Sequence, residues 1–333
     1  MPNPSPIDAA LAHLDQLLEG VPFRVSLYHD VCSLSCLHCG VKGEAYFKER
    51  KRQTGASSTG SWLKILRWLS QKDVESVVLT GGEITERDDF HQLVIEAQWA
   101  GLKNIVIETN GRRFSDPQYC GLFSPGKRLS YIVALHGSSS SVHDGITGVP
   151  GSFDETIAGI SNLASMTDSR VDVCVVLSKY NVHDVCDIVN LARGKGVRTL
   201  FITLMILRGR GIFENLPSLE AARASIRDLL EEFSGIGEDL LFNNVPLCFL
   251  GDCYKNSINY QSMKRKGAAC ELMFHTCNLN WSFIAEMALP TPLNYPECCA
   301  PCFFRDFCPA PSYISLFADP EKYVRPTQLL NTS

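Results

Sequence analysis

Cys32, Cys36 and Cys39 stand in the pattern C-x3-C-x2-C, the first of two places where thiols crowd together in this chain. All told there are 14 cysteines in 333 residues. The N-terminus lacks a basic residue before Arg24, and Asp8, Asp15 and Glu19 interrupt its apolar positions, so no export signal is read there. Without export, clustered thiols point to metal or redox chemistry rather than to disulfides. A zinc ion wants a fourth protein ligand nearby, and none accompanies this trio. Three thiolates suit a four-iron cluster that leaves one iron open to a small molecule. The plain alternative is the buried stripe of a helix, because positions i, i+4 and i+7 share a face.

The second group, Cys298-Cys299-Ala300-Pro301-Cys302 with Cys308 beyond it, has the core C-x2-C-x5-C. It lies in a stretch with little regular patterning, where a metal would serve as a staple.

Elements must position these groups. From residue 23 onward, apolar runs of strand length (23–28, 76–80, 104–108, 130–135, 170–177 and 199–204) alternate with helical periods at 62–70, 88–99, 153–164 and 183–193. A short amphipathic helix over 7–20 precedes them, and another helix is expected at 219–233. Such alternation implies a parallel α/β sheet, because parallel neighbours need long crossovers. A partial (β/α)6 barrel is the economical arrangement, and functional groups then gather at the C-terminal ends of the strands. The first cysteine trio begins directly after the first strand. The expected division is an N-terminal helix (1–22), the barrel (23–215) and a small, loop-rich, cysteine-rich extension (216–333).

Over residues 23–210 the chain resembles the radical S-adenosylmethionine (SAM) superfamily. Its cluster loop follows the first barrel strand, and Cys32, Cys36 and Cys39 match that loop. His38 falls in its aromatic slot near the adenine. Thr80-Gly81-Gly82-Glu83, ending the second strand, is similar to the turn that meets the methionine amino group of SAM. Thr109-Asn110-Gly111 closes the third strand as the family's "TNG" turn does. Lys179 and Met205, at later strand ends, resemble residues that contact SAM and pack near its adenine. Ala134 stands where many relatives carry a SAM-contacting serine, so that contact is not carried over. The resemblance implies a [4Fe-4S] cluster held by three cysteines and SAM, reductive cleavage of SAM to a 5′-deoxyadenosyl radical, hydrogen abstraction from a substrate, and an external electron donor of flavodoxin or ferredoxin type. His136 and Arg208 are candidate substrate-facing residues.

The C-terminal cysteines resemble the auxiliary-cluster extension called SPASM, or twitch in its shorter form. The longer form continues with another cysteine where this chain has Ser312, which favours one auxiliary [4Fe-4S] cluster. Cys299, Cys302 and Cys308 are its expected ligands and Cys248 the fourth, with Cys253, Cys270, Cys277 and Cys298 as alternates. Structural zinc and unligated thiols are the competing readings. Cys120, Cys174 and Cys186 read as ordinary buried residues.

Other signals carry less. Residues 121–128 nearly spell a P-loop, but Arg128 replaces the magnesium-binding Ser/Thr. No G-x-G-x-x-G supports a nicotinamide enzyme. His143 and Asp144 read as a loop cap before acid–base groups, residues 48–52 as a solvated basic stretch, and Arg208 and Arg210 as possible carboxylate or phosphate contacts. A net charge of −5 argues against a nucleic-acid partner, and no apolar run reaches membrane length, so a cytoplasmic protein is expected. Many peptide-modifying members of the superfamily that the chain resembles carry an N-terminal leader-binding domain of about 80–90 residues, roughly half an average domain, and with the barrel expected to start near residue 23 none is expected here. The expected substrate is therefore a small molecule such as a sugar, nucleoside or amino-acid-derived intermediate. The alternatives are a ribosomally made peptide and, more distantly, a non-catalytic iron–sulfur protein.

Overall fold

The computed structural model describes residues 6–17, 23–29, 31–40, 58–72, 74–123, 129–166, 169–207, 209–235, 237–264, 270–275, 280–284, 297–302 and 308. Arg208, Cys277, Ser312 and residues 48–52 lie outside them.

Helix α1 (Pro6–Leu17) precedes strand β1 (Phe23–His29). Then follow α2 (Thr59–Leu69), β2 (Val74–Gly81), α3 (Phe90–Trp99), β3 (Ile105–Thr109), the short α4 (Pro117–Gly121) and β4 (Leu129–Ala134). Next come α5 (Ser140–Thr147), α6 (Ser152–Ala164), β5 (Arg170–Leu177), α7 (Val185–Gly194) and β6 (Leu200–Leu204). The last part holds α8 (Leu219–Glu232), β7 (Leu240–Asn243), the short α9 (Leu247–Leu250), α10 (Ile258–Lys264), β8 (Cys270–His275) and β9 (Asn280–Ile284).

The strands form one sheet in the order β7-β6-β5-β4-β3-β2-β1-β8-β9, parallel throughout except for the antiparallel β8–β9 pair. The fold is thus the expected α/β partial barrel. It also extends further than the six strands read from the sequence, because residues after 210 supply β7 on one edge and β8 with β9 on the other.

Alternation along the strands builds the core. Leu129, Tyr131 and Val133 of β4, Val171, Val173 and Val175 of β5, and Leu200, Ile202 and Leu204 of β6 are buried, while their neighbours in sequence are largely half-buried. The helices present matching stripes. In α2 the N-cap Ser58 accepts from the Ser61 N–H, and Trp62, Ile65, Leu66 and Leu69 then recur at helical spacing on the buried face. Behind β3 and β4, Phe114 packs edge-on or tilted against Tyr119, Phe123 and Tyr131 at 5.2–5.6 Å. A fully buried Phe contributes about 1.5–3 kcal/mol, and this one anchors the turn that follows β3. Because β1–β6 are parallel, the loops leaving them gather at one end, and the site is built there.

Candidate functional site

The cysteine loop, residues 31–40, has almost no regular structure of its own and is held by its neighbours. Ser35 and Leu37 donate their backbone N–H groups to Thr147 and Ile146 carbonyls at 2.8 and 3.0 Å, at the end of α5. The Glu83 N–H reaches the Val31 carbonyl at 2.6 Å, and the Gly82 N–H reaches that of His29. From the far side, the Arg210 N–H donates to the Cys39 carbonyl at 2.8 Å and its guanidinium to that of Ser35. Between Cys32 and Cys36, Ser33 donates its N–H (3.0 Å) and hydroxyl (2.5 Å) to the Glu86 carboxylate while accepting from Arg112 at 2.9 Å. Arg112 is itself paired with Glu155. The three cysteines are each half-buried on this suspended loop.

The Gly81-Gly82-Glu83 turn lies against the loop's start. Gly81 has φ +117°, and a Cβ there would stand 2.1 Å from the His29 carbonyl oxygen, so only glycine fits. Glu83 does something the motif did not announce. It is 1% exposed, and its carboxylate accepts from the Thr85 N–H (3.1 Å), the Thr85 hydroxyl (2.6 Å), the Thr109 hydroxyl (2.7 Å) and the Asn110 N–H (2.6 Å). Burial pushes this carboxyl up from its ordinary value, opposed by the Asn110, Thr85 and Thr109 donors, each of which favours the anion. Its carboxylate ties the second strand's turn to the third's, bringing Gly81, Gly82, Thr109 and Asn110 together.

His38 of the cysteine loop meets two further histidines. The His38 and His136 rings meet edge-on at 4.3 Å, and His136 stacks on His143 at 6.0 Å. Burial pushes His38 and His143 down to about 4, opposed at His143 by the Asp144 carboxylate, and pushes His136 well below its usual value, so all three are neutral at pH 7. His143 Nδ1 accepts the His136 backbone N–H at 3.1 Å, which puts the His143 proton on Nε2. Asp144 is a cap, as expected: burial raises its carboxyl, but the Ser152 hydroxyl and the Phe153 and Gly151 N–H groups, at 2.7–2.8 Å, outweigh this and lower it.

At later strand ends, Met205 is buried and Lys179 is exposed, its ammonium 5.0 Å over the Tyr180 ring. Arg210, half-buried, bonds the cysteine loop through its backbone N–H and one guanidinium nitrogen. Sequence reasoning missed Thr85, which bonds Glu83 two residues away, and Ser33, Glu86, Arg112 and Asn215, whose partners lie far off in the chain.

Among the described residues, no three His, Cys, Asp or Glu side chains form a ready-made metal cage. The fit to a cluster and its small-molecule ligand rests on donor chemistry and on buried polar atoms. Three thiols share one loop, and the nearby Asn110 Nδ2 and His38 Nδ1 are buried without a partner among the described residues. Of the second group, Cys299 and Cys308 are buried in the hydrophobic core, with Cys248 and Cys302 packed against it, whereas Cys253 is exposed. Cys270 lies on β8.

A sequence model of the radical SAM superfamily matches residues 27–209, more than half of the chain. The chain belongs to the radical SAM superfamily. As a radical SAM enzyme it uses a [4Fe-4S] cluster and SAM. Mycofactocin maturase MftC of Mycobacterium ulcerans is 30% identical over 203 residues, covering 60% of this chain and 52% of that protein. An AdoMet-dependent heme synthase of Methanosarcina barkeri is 27% identical over 181 residues, 54% of this chain and 49% of that protein. The chain thus spans about half the length of the curated relatives it matches. Among solved structures, Streptococcus suis SuiB bound to precursor peptide SuiA superposes with a TM-score of 0.59 at 16% identity, over 81% of this chain and 61% of that one. No helix among the described residues is long and apolar enough to cross a membrane.

Proposed function

We propose that this radical SAM enzyme matures a ribosomally made peptide. The observation that carries this reading is its similarity, in sequence to a maturase and in fold to a barrel crystallised with a precursor peptide. The small-molecule substrate expected from the sequence alone has support from the heme synthase relative and is the second reading.

In the proposed site, Cys32, Cys36 and Cys39 hold three irons of the cluster. The Gly81-Gly82 backbone, Thr109, Asn110, His38, Lys179 and Met205 surround SAM, and Glu83 acts from behind by fixing the two turns. When bound, the cluster and SAM supply one-electron cleavage of a carbon–sulfur bond and a hydrogen-abstracting radical. The protein's share is to position the substrate C–H bond and exclude water and oxygen. His136, neutral and buried, offers a hydrogen bond to the substrate without a charge. Residues 216–333 carry one auxiliary cluster on Cys248, Cys299, Cys302 and Cys308, and the electron donor is a flavodoxin or ferredoxin.

Anaerobic reconstitution with reductant tests this. Eight irons per chain, on the order of two cubanes, are expected, falling to about four in Cys299→Ala/Cys302→Ala. SAM should be cleaved to 5′-deoxyadenosine, and a short peptide encoded beside the gene should change mass. SAM cleavage without any peptide modification would remove the peptide reading. Iron content unchanged by Cys36→Ala would remove the cluster assignment.

A further inference from the structure

Seven large apolar side chains are left exposed among the described residues, and five of them, Tyr180, Ile206, Leu207, Ile212 and Phe213, follow β5 and β6 at the reactive end. Each of the five is 45–49% exposed. Single exposed apolar residues are ordinary, but a group at one mouth marks an interaction surface.

This rim abuts the cysteine loop. The Gly209 backbone, at φ +64°, runs so close that a Cβ there would lie 2.4 Å from the Cys39 carbonyl oxygen. Ile206 Cδ1 would lie 3.6 Å from a Cβ on Gly40. The Tyr180 hydroxyl donates to Asn215 Oδ1 at 3.1 Å, and Asn215 Nδ2 reaches the Leu37 carbonyl at 3.4 Å. The two loops of the rim are thus tied to each other and to the cysteine loop. An apolar group seated on the rim is held beside the residues proposed to carry the cluster.

We propose that this rim, continuous with the reactive mouth, docks apolar side chains of the peptide substrate and so presents the neighbouring residue for modification; this rests on the peptide reading above. A preference for leucine- or phenylalanine-type side chains next to the modified residue follows.

The probe is a panel of fluorescein-labelled 12-residue peptides, identical except for a central Leu-Phe, Ser-Ser or Asp-Asp pair, titrated against the reconstituted full chain and read by anisotropy. The Leu-Phe peptide should bind at least ten-fold tighter than Asp-Asp. Leu207→Ser/Ile212→Ser should erase that preference, while Leu207→Met/Ile212→Leu and the distant Trp99→Ser should keep it. Equal binding across the panel, or a preference that survives Leu207→Ser/Ile212→Ser, would overturn the proposal. So would a dimer that the serine variant dissociates, which would make the rim a contact between copies. Weakened SAM binding with the peptide preference intact would make it a nucleotide wall, and overturns the proposal too. The two failures separate cleanly. An enzyme that changes a peptide's mass yet shows no rim-dependent preference loses only the docking surface, whereas one that cleaves SAM and modifies no peptide loses both.

Discussion

Replacing Glu83 with glutamine probes the site's least expected feature. The carboxylate accepts four hydrogen bonds at 2.6–3.1 Å while being 1% exposed. Three of them converge on Oε1 and the fourth, from the Asn110 N–H, on Oε2. A glutamine keeps the three only by turning its NH2 toward the Asn110 N–H, donor against donor. A buried N–H left unpaired costs about 1–3 kcal/mol, and the three remaining bonds lose their charge assistance. Release of a buried charge offsets part of this, so the net loss is about 1–3 kcal/mol. Alanine strands two backbone N–H groups, those of Thr85 and Asn110, and costs about 2–6 kcal/mol by the same measure. Urea unfolding of the full chain, followed by tryptophan fluorescence, reads both. The alternative is that Glu83 is spent on a ligand's ammonium, in which case glutamine weakens SAM binding and leaves the unliganded protein's stability alone. An unfolding midpoint for Glu83→Gln indistinguishable from wild type would refute the bracket role.

Three further outcomes follow from the same geometry. Gly81→Ala, with its Cβ forced 2.1 Å from the His29 carbonyl, should abolish soluble expression or lower the melting temperature by at least several degrees. Glu86→Gln should leave the fold intact but loosen Ser33, which is checked by faster amide exchange across residues 32–39 in the apo-protein and a lower reconstituted iron content; unchanged exchange would count against it. His143 is pushed from 6.5 to about 4, chiefly by burial, so the unfolded chain binds more protons than the folded one between those pH values. Its share of stability, at most about 3 kcal/mol for a shift of this size, is fully present above pH 6.5 and lost as pH falls toward 4. His143→Gln should flatten apo-protein stability over that window by close to one proton's slope, as measured by denaturation at pH 4.5, 5.5 and 7.

How far the sequence revealed this arrangement depends on how local each signal is. Strands β1–β6 were legible because apolar runs such as Val171–Leu177 alternate with amphipathic helices. β7 was not, since Leu240–Asn243 is four residues long and its pattern fits a loop as well. The cysteine trio and the Gly81-Gly82-Glu83 turn announce themselves by spacing. Their supports do not: Ser33 to Glu86 spans 53 positions, Ser33 to Arg112 spans 79, and Arg210 to Ser35 spans 175. Nothing local in a lone Ser or Arg says which distant carbonyl or carboxylate it will meet. Glu83 shows the same limit: a carboxylate after two glycines suggests a ligand contact, while its bonds to Thr109 and Asn110, 26 and 27 positions on, are not announced by the motif.

These distant supports explain how an irregular loop can hold three thiols in register. Its N–H groups cannot pair along a strand or helix of their own. At the end of α5, meanwhile, the Ile146 and Thr147 carbonyls have no partner further along the helix. Ser35 and Leu37 meet those carbonyls, so each side satisfies the other's backbone groups. Glu83 N–H to Val31, Ser33 N–H to Glu86 and Arg210 N–H to Cys39 extend the same logic to the loop's other edges. The loop therefore inherits its shape from β2, β3, α5 and the segment after β6 together. Loosening any one of these should disturb the thiols without touching a cysteine, and the effect should appear as loss of bound iron before loss of fold.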